Sequence, residues 1–294
     1  MQLNRRDFLK LSGIALASGI ALLQTDTKAL SFREGEIGIL YDASKCVGCR
    51  ACQMACKRWN KLPGETTDAQ KLYETPLDLS ADTWTLIKLN MRSEADWYFF
   101  NYQCMHCTDA TCVTVCPTGA LFKDVKGFVA FDEDKCNGCG YCTQFCPFGV
   151  PHLRTKNLLT GEAKAAKCTF CQDRIWSGLE GPSCVEACPV KALVWGPREE
   201  LLDKAKERVT TLHDQGLSEA RLYGENEAGG LHRLSIIFGE PGQYNLPEAP
   251  SGAMANVWQN IIQPLGEIAI GATAVGLLLN FLVARRQIKV EEEP

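Results

Sequence analysis

Apolar residues follow several distinct rhythms along this chain. In REELLDKAKERVTTLHDQG, residues 198–216, Leu201, Leu202, Ala205, Val209 and Leu212 fall at helical spacing, and Gly216 stands where such a helix would stop. Short runs predict strands: GFVAFDEDKC at 127–136, ALVWG at 192–196, and residues 234–238. Residues 268–284 carry no charge, and with the preceding turns, broken only by Glu267, they predict a helix long enough to cross a hydrocarbon core. Residues 64–90 begin polar and end strand-like. The Gly- and Pro-rich stretch 222–250 is expected to run along the surface toward the apolar C-terminal stretch.

The two ends carry addresses. NRRDFLK, with Arg5 and Arg6, precedes an uncharged stretch at 11–25 and resembles a twin-arginine export signal, with Asn4 where Ser or Thr is usual. Thr27-Lys28-Ala29 offers a cleavage point after Ala29. An amphipathic surface helix is the alternative, but the stretch is too evenly apolar for one. At the other end Trp258 flanks the apolar helix on one side and Arg285, Arg286 and Lys289 on the other. The positive-inside rule then puts the tail in the cytoplasm and the rest of the chain outside, the same side that an export signal requires. A buried helix of a soluble domain is the alternative here. Gly271, Ala272 and Gly276 would admit a neighbouring helix.

The 294 residues suffice for one large domain or two small ones, and a net charge of −4 with interspersed signs argues against nucleic acid as a partner. Sixteen cysteines change the picture. They fall into four groups of four: Cys46, Cys49, Cys52, Cys56; Cys104, Cys107, Cys112, Cys116; Cys136, Cys139, Cys142, Cys146; and Cys168, Cys171, Cys184, Cys188. A C-x-x-C-x-x-C-x-x-x-C run is too short to pair its own thiols as disulfides comfortably, but it suits several thiolates around one cluster. The first and third groups match the bacterial ferredoxin pattern, in which three close cysteines hold one [4Fe–4S] cluster and the fourth reaches its neighbour. Zinc ribbons are the alternative, though they use two separated pairs. An exported chain would carry its clusters already built, its thiolates occupied before they met an oxidising compartment.

The last cysteine of each group is expected to begin a helix, with Pro117, Pro147 and Pro189 suiting its first turn; Cys56 is followed by Lys57 instead. Lys45, Lys135 and Lys167 each precede a first cysteine and are expected to be solvated surface lysines, with a tuning charge as the alternative. The four histidines, His106, His152, His213 and His232, are scattered, His106 being read as a hydrogen-bonding neighbour of its group. No catalytic constellation or nucleotide-binding glycine motif is expected, since Glu227-Ala228-Gly229-Gly230 lacks a strand–turn–helix context.

CVGCRACQMACKRWNKLPGE, DLSADTWTLIKL, QCMHCTDATCVTVCPTGAL, DKCNGCGYCTQFCPFGVP, KCTFCQDRIWSGLEGPSCVEACP and LYGENEAGGLH resemble the iron–sulfur (beta) subunit of membrane-bound respiratory dehydrogenases that contain molybdenum or tungsten. The closest family match is formate dehydrogenase, favoured by WTLIKL and NKLPGE; the iron–sulfur subunit of periplasm-facing uptake hydrogenase is a near relative. The resemblance runs from about residue 36 to the C-terminus, and the Cys-x-x-Trp-Asn ending of the first group belongs to the family pattern. It implies an α+β fold of two pseudo-symmetric, ferredoxin-like bicluster units plus one C-terminal transmembrane helix. It also implies the ligand sets: Cys46, Cys49, Cys52 and Cys188 for cluster 1; Cys168, Cys171, Cys184 and Cys56 for cluster 2; Cys104, Cys107, Cys112 and Cys146 for cluster 3; Cys136, Cys139, Cys142 and Cys116 for cluster 4.

On this resemblance the chain divides into a signal peptide (1–29), a four-cluster domain (36–221), a surface segment (222–256), a transmembrane helix (257–284) and a cytoplasmic tail (285–294). Its implied role is a non-catalytic one: relaying electrons from a periplasmic molybdopterin subunit that oxidises formate to a membrane cytochrome b that reduces quinone. The single-pass chain would sit in the cytoplasmic membrane with its clusters outside. The alternative is the same role beside a nickel–iron uptake hydrogenase. A self-contained reductase would need an open cluster position, which sixteen cysteines for four cubes do not leave; for a purely structural membrane adaptor the clusters would be superfluous.

Overall fold

The structure is a computed structural model that describes residues 35–65, 75–93, 96–179 and 181–287. The expected export signal and the tail beyond Gln287, including Lys289, lie outside the described residues. The strands run β1 (Ile37–Asp42), β2 (Thr85–Ser93), β3 (Asp96–Gln103), β4 (Leu121–Lys123), β5 (Val129–Phe131), β6 (His152–Asn157), β7 (Glu162–Ala166), β8 (Leu193–Pro197), β9 (Ala220–Tyr223) and β10 (Arg233–Phe238). Between them lie α1 (Ala51–Trp59), α2 (Thr111–Thr114), α3 (Tyr141–Phe145), α4 (Gln172–Trp176), α5 (Ser183–Glu186) and α6 (Arg198–Asp214). Mixed helix and short strand, as the sequence predicts, is what forms.

A four-stranded sheet of order β8-β1-β10-β9 holds the core, with β1 parallel to β10 and antiparallel to β8. The predicted helix at 198–216 is α6; it packs on this sheet and buries Leu201, Ala205 and Leu212 on its inner stripe. Each such Leu contributes roughly 2 kcal/mol by leaving water, which is what fixes a helix of otherwise charged residues. Three antiparallel hairpins, β2–β3, β4–β5 and β6–β7, surround the sheet. The strand-like end of residues 64–90 is β2. Its partner β3 packs toward β10, where the rings of Tyr98 and Phe238 stack with centroids 4.1 Å apart.

Residues 222–250 do not run along the surface. They supply β10, buried at every position, and complete β9. The sequence hides this because β10 lies between β1 and β9 with packing on both faces, so it reads as a continuous apolar run without alternation, set among turn residues.

At the C-terminus one helical stretch extends from Ala253: α7 (Ala253–Val257), a π-helical turn (Trp258–Ile262) and α8 (Gln263–Gln287). Pro264 has no N–H for the carbonyl four residues back, and the wider turn immediately precedes it. Met254–Arg285 has a window of mean hydropathy 1.9 with none of it buried, long and apolar enough to cross a membrane.

Candidate metal centres

All sixteen cysteines carry free thiols, and the backbone repeats one conformation around them four times. The residue before each second cysteine is left-handed: Gly48 (φ 68°), His106 (48°), Gly138 (74°) and Phe170 (63°). Such a residue turns successive N–H groups to one side, making a concave nest suited to a sulfur-rich anion. Glycine takes this conformation freely; His106 and Phe170 hold it at a cost of roughly 1–2 kcal/mol each. The third cysteine of each group, Cys52, Cys112, Cys142 and Cys184, is always the second residue of a helix: α1, α2, α3 and α5. A thiolate there sits beside the helix end that favours negative charge.

The fourth cysteines depart from expectation. Cys116, Cys146 and Cys188 follow their helices and do not open new ones. Each Cys-Pro leads into a turn, in which the N–H of Gly119, Gly149 or Lys191 returns to the cysteine carbonyl at 3.3, 3.1 and 3.3 Å. Proline fixes φ in that turn and cannot donate the bond that a continuing helix requires. Cys56, without the proline, stays inside α1.

The thiols converge across groups. Cys46, Cys49, Cys52 and Cys188 line one cavity, and Cys136, Cys139, Cys142 and Cys116 line another. Burial lifts Cys107 well above the usual thiol range, and the charges of Cys104, Cys112 and Cys146 lift it further. Burial likewise lifts Cys184, followed by the charges of Cys171, Cys168 and Cys56. Neighbouring sets also meet. Cys184 packs in one buried cluster with Cys52, Cys168 in another with Cys104, and Cys112 in a third with Cys142, so the four sets form a row. Cys49 and Cys139, the two exposed members, belong to the sets at its opposite ends.

These residues fit a cube of iron and sulfide. Among the described residues, no three His, Cys, Asp or Glu side chains converge where a single metal ion would be held. Zinc needs four donors about 2.0–2.3 Å from one point; thiols spread around a cavity match a cluster that takes one thiolate at each iron. Burial, followed by the charge of Cys46, pushes Cys52 up to about 12, and burial pushes Cys56 up to about 12. Thiols so placed stay neutral until a metal displaces the proton.

Donors approach the sulfurs from several directions. The Phe170 N–H reaches Cys168 Sγ at 3.4 Å and the Ala165 N–H reaches Cys136 Sγ at 3.4 Å. Asn101 Nδ2 donates to Cys52 Sγ and Asn60 Nδ2 to Cys56 Sγ, both at 3.5 Å. Burial raises Cys116, but N–H groups of Leu121, Thr118 and Ala120 and the Thr118 hydroxyl outweigh it and leave its thiol below the usual range.

Lys45 and Lys135 are solvated and paired with Asp42 and Asp132. Lys167 is not a surface lysine. It is buried, with Nζ donating to the carbonyls of Val129 and Cys168 at 2.9 Å each, because β5 covers the loop it belongs to. His106 accepts the Val129 N–H at Nδ1 at 3.1 Å. His213 bonds the Ala220 carbonyl, and His232 bonds that of Ile37. Sequence reasoning missed Asn101 and Arg233; the one signal for Asn101 was a buried-looking strand, DWYFFNYQ, with two amides on one face, and Arg233 carried none.

Known proteins complete the picture. A family model described as a 4Fe-4S dicluster domain matches residues 95–198. A formate dehydrogenase iron–sulfur subunit of Haemophilus influenzae is 34% identical over 267 residues, covering 88% of this chain and 84% of that protein. The nitrate-inducible formate dehydrogenase iron–sulfur subunit of Escherichia coli is 34% identical over 85% of either chain. The Hydrogenase-2 operon protein HybA of the same species is 35% identical over 81% of this chain and 82% of its own. With thiols from different groups gathered around shared cavities, and with likeness over most of its length, the chain is an iron–sulfur protein that belongs to the family of formate dehydrogenase iron–sulfur subunits.

Proposed function

We propose that the chain relays electrons through four [4Fe–4S] clusters, from a molybdenum- or tungsten-pterin catalytic subunit that oxidises formate to a membrane cytochrome b that reduces quinone. The observation that carries this reading is the row of thiol sets with its exposed members, Cys49 and Cys139, at opposite ends. The proposed ligands are the four quartets the resemblance implies, each drawing three cysteines from one group and one from another. When bound, such clusters take up and release single electrons.

The chain's own residues exclude water from the middle of the row, where Cys56, Cys168, Cys171 and Cys184 are all buried, and they supply N–H donors to the sulfurs. Burial and hydrogen bonding to sulfur are the levers by which a protein sets cluster potentials. The Cys49 end, with Val47 and Met54 exposed beside it in sequence, is the proposed face for the catalytic subunit. The Cys139 end adjoins the apolar helix through Trp258, which contacts Tyr141 and Phe145 of α3, and so faces the membrane partner. The twin-arginine string at residues 5–6 and the basic flank after the helix support an extracytoplasmic cluster domain. A second reading, favoured by the likeness to the Hydrogenase-2 operon protein, replaces the formate-oxidising partner by a hydrogen-oxidising one.

The test is the complex purified anaerobically. About sixteen iron atoms and as many sulfides per chain are expected, four to a cube; half that iron with stoichiometric zinc would sink the four-cluster count. The co-purifying large subunit, and formate-to-dye against hydrogen-to-dye activity, separate the two readings. Protease added to intact spheroplasts should reach the cluster domain, and failure to do so would reverse the orientation.

A further inference from the structure

Arg233 is completely buried at the start of β10, and no carboxylate stands among its described partners. Its guanidinium lies 5.5 Å from the ring centres of both Tyr41 and Phe100. Nη2 donates to the Asn101 backbone carbonyl and, at 2.9 Å, to Asn101 Oδ1. Nη1 reaches Met105 Sδ at 3.7 Å and Ser235 Oγ at 3.5 Å, and Nε has no hydrogen-bond partner among the described residues. Sealing a cation inside a protein without a counter-charge is strongly unfavourable. A cluster held by Cys52 would supply negative charge one side chain away, beyond Asn101.

The contact with Asn101 has a direction. Because Oδ1 accepts from Arg233, the amide must present Nδ2 on its other side, and there it meets Cys52 Sγ at 3.5 Å. Asn101 is itself completely buried on β3, so no water competes for either end of its side chain. A reduced cluster carries one more negative charge than an oxidised one. A fixed cation nearby and an N–H donor on a ligand sulfur therefore both favour reduction.

We propose that Arg233 and Asn101 raise the reduction potential of the first cluster in the row, Asn101 as the donor to Cys52 and Arg233 as the buried positive charge that orients Asn101. The inference rests on the ligand sets proposed above. Arg233 is a positioning residue toward Cys52.

Redox titration of the intact complex, followed by electron paramagnetic resonance, reads this directly. Arg233→Met should shift the midpoint of the first cluster downward while the two clusters at the far end of the row titrate as in the wild type. Arg233→Lys should restore only part of that shift, because one ammonium keeps the charge but does not orient the amide as a guanidinium fork does. Asn101→Leu should lower the first cluster alone. Wild-type midpoints in fully iron-loaded Arg233→Met protein would overturn the proposal, as would an equal shift of all four clusters. If Arg233→Met fails to assemble, Asn101→Leu and Arg233→Lys decide: an unmoved first cluster in Asn101→Leu overturns it. Missing clusters in the unmodified complex would instead overturn the ligand reading, so the two failures are distinguishable.

Discussion

Trp258 packs against Tyr141 with ring centroids 5.6 Å apart and planes at 70°, and against Phe145 at 5.9 Å. The contact ties the start of the membrane-length helix to α3, which carries Cys142 and ends at Cys146. A helix with an unburied apolar surface has few other attachments to the domain, so on the proposed function this aromatic seat would set how the last cluster stands over the membrane.

Replacing Trp258 by Ala should therefore leave iron content and dye reduction unchanged while slowing quinone reduction several-fold. Each lost aromatic contact is worth about 1 kcal/mol beyond its area, enough to loosen the seat and too little to unfold the domain. Assays on membranes with formate and either a soluble dye or a quinone analogue check it; equal loss in both assays would show that the contact is structural only.

Cys188→Ala should damage the cluster associated with Cys46, Cys49 and Cys52 and spare the one associated with its sequence neighbours Cys168, Cys171 and Cys184. The reason is the shared cavity that Cys188 lines with the first group. Spectroscopy that finds only the second cluster altered would contradict this crossing.

Gly138→Ala should remove the cluster at the Cys139 end, lowering iron by about four atoms per chain. Gly138 has φ 74°, and a Cβ there would press on the Ala163 backbone carbonyl, which is fixed in the β6–β7 hairpin. Gly48→Ala should be milder. Its Cβ would meet the Phe99 ring, a side chain that can rotate away. Iron analysis of the two variants purified in parallel checks the order of severity.

Spacing made the cysteine groups, α6 and the C-terminal helix legible, because each is a local pattern: thiols three apart, apolar residues on one stripe, charge absent over a span. What it did not reveal depends on residues distant in sequence. Asn101 faces Cys52 only because the β2–β3 hairpin packs on α1, and Arg233 joins them from a strand far along the chain. Lys167 reads as an ordinary charged residue before a cysteine; its burial is decided by Val129 on another hairpin. The Cys-Pro turns were misread for a local reason, since proline suits a first helical turn and a β-turn equally well.

The last prediction concerns acid. His232 is completely buried, its Nδ1 2.7 Å from the Ile37 carbonyl and its Nε2 3.7 Å from Glu36. Burial, then the positive charge of Lys123, pushes its pKa down to about 3, against the Ile37 hydrogen bond that pulls it up. The unfolded chain, with an ordinary histidine near 6.5, binds the proton more readily than the folded one. This contribution to stability is therefore complete above about pH 6.5 and declines as pH falls toward 3, by roughly 1.4 kcal/mol per pH unit for one proton. His106, lowered by burial and then by Lys167, acts in the same direction. His232→Asn keeps a donor for the Ile37 carbonyl but cannot take up a proton. Whatever its stability at neutral pH, it should lose less stability per pH unit between 6.5 and 4.5. Anaerobic denaturant unfolding followed by circular dichroism at several pH values measures that slope, and parallel slopes for variant and wild type would remove His232 from the account.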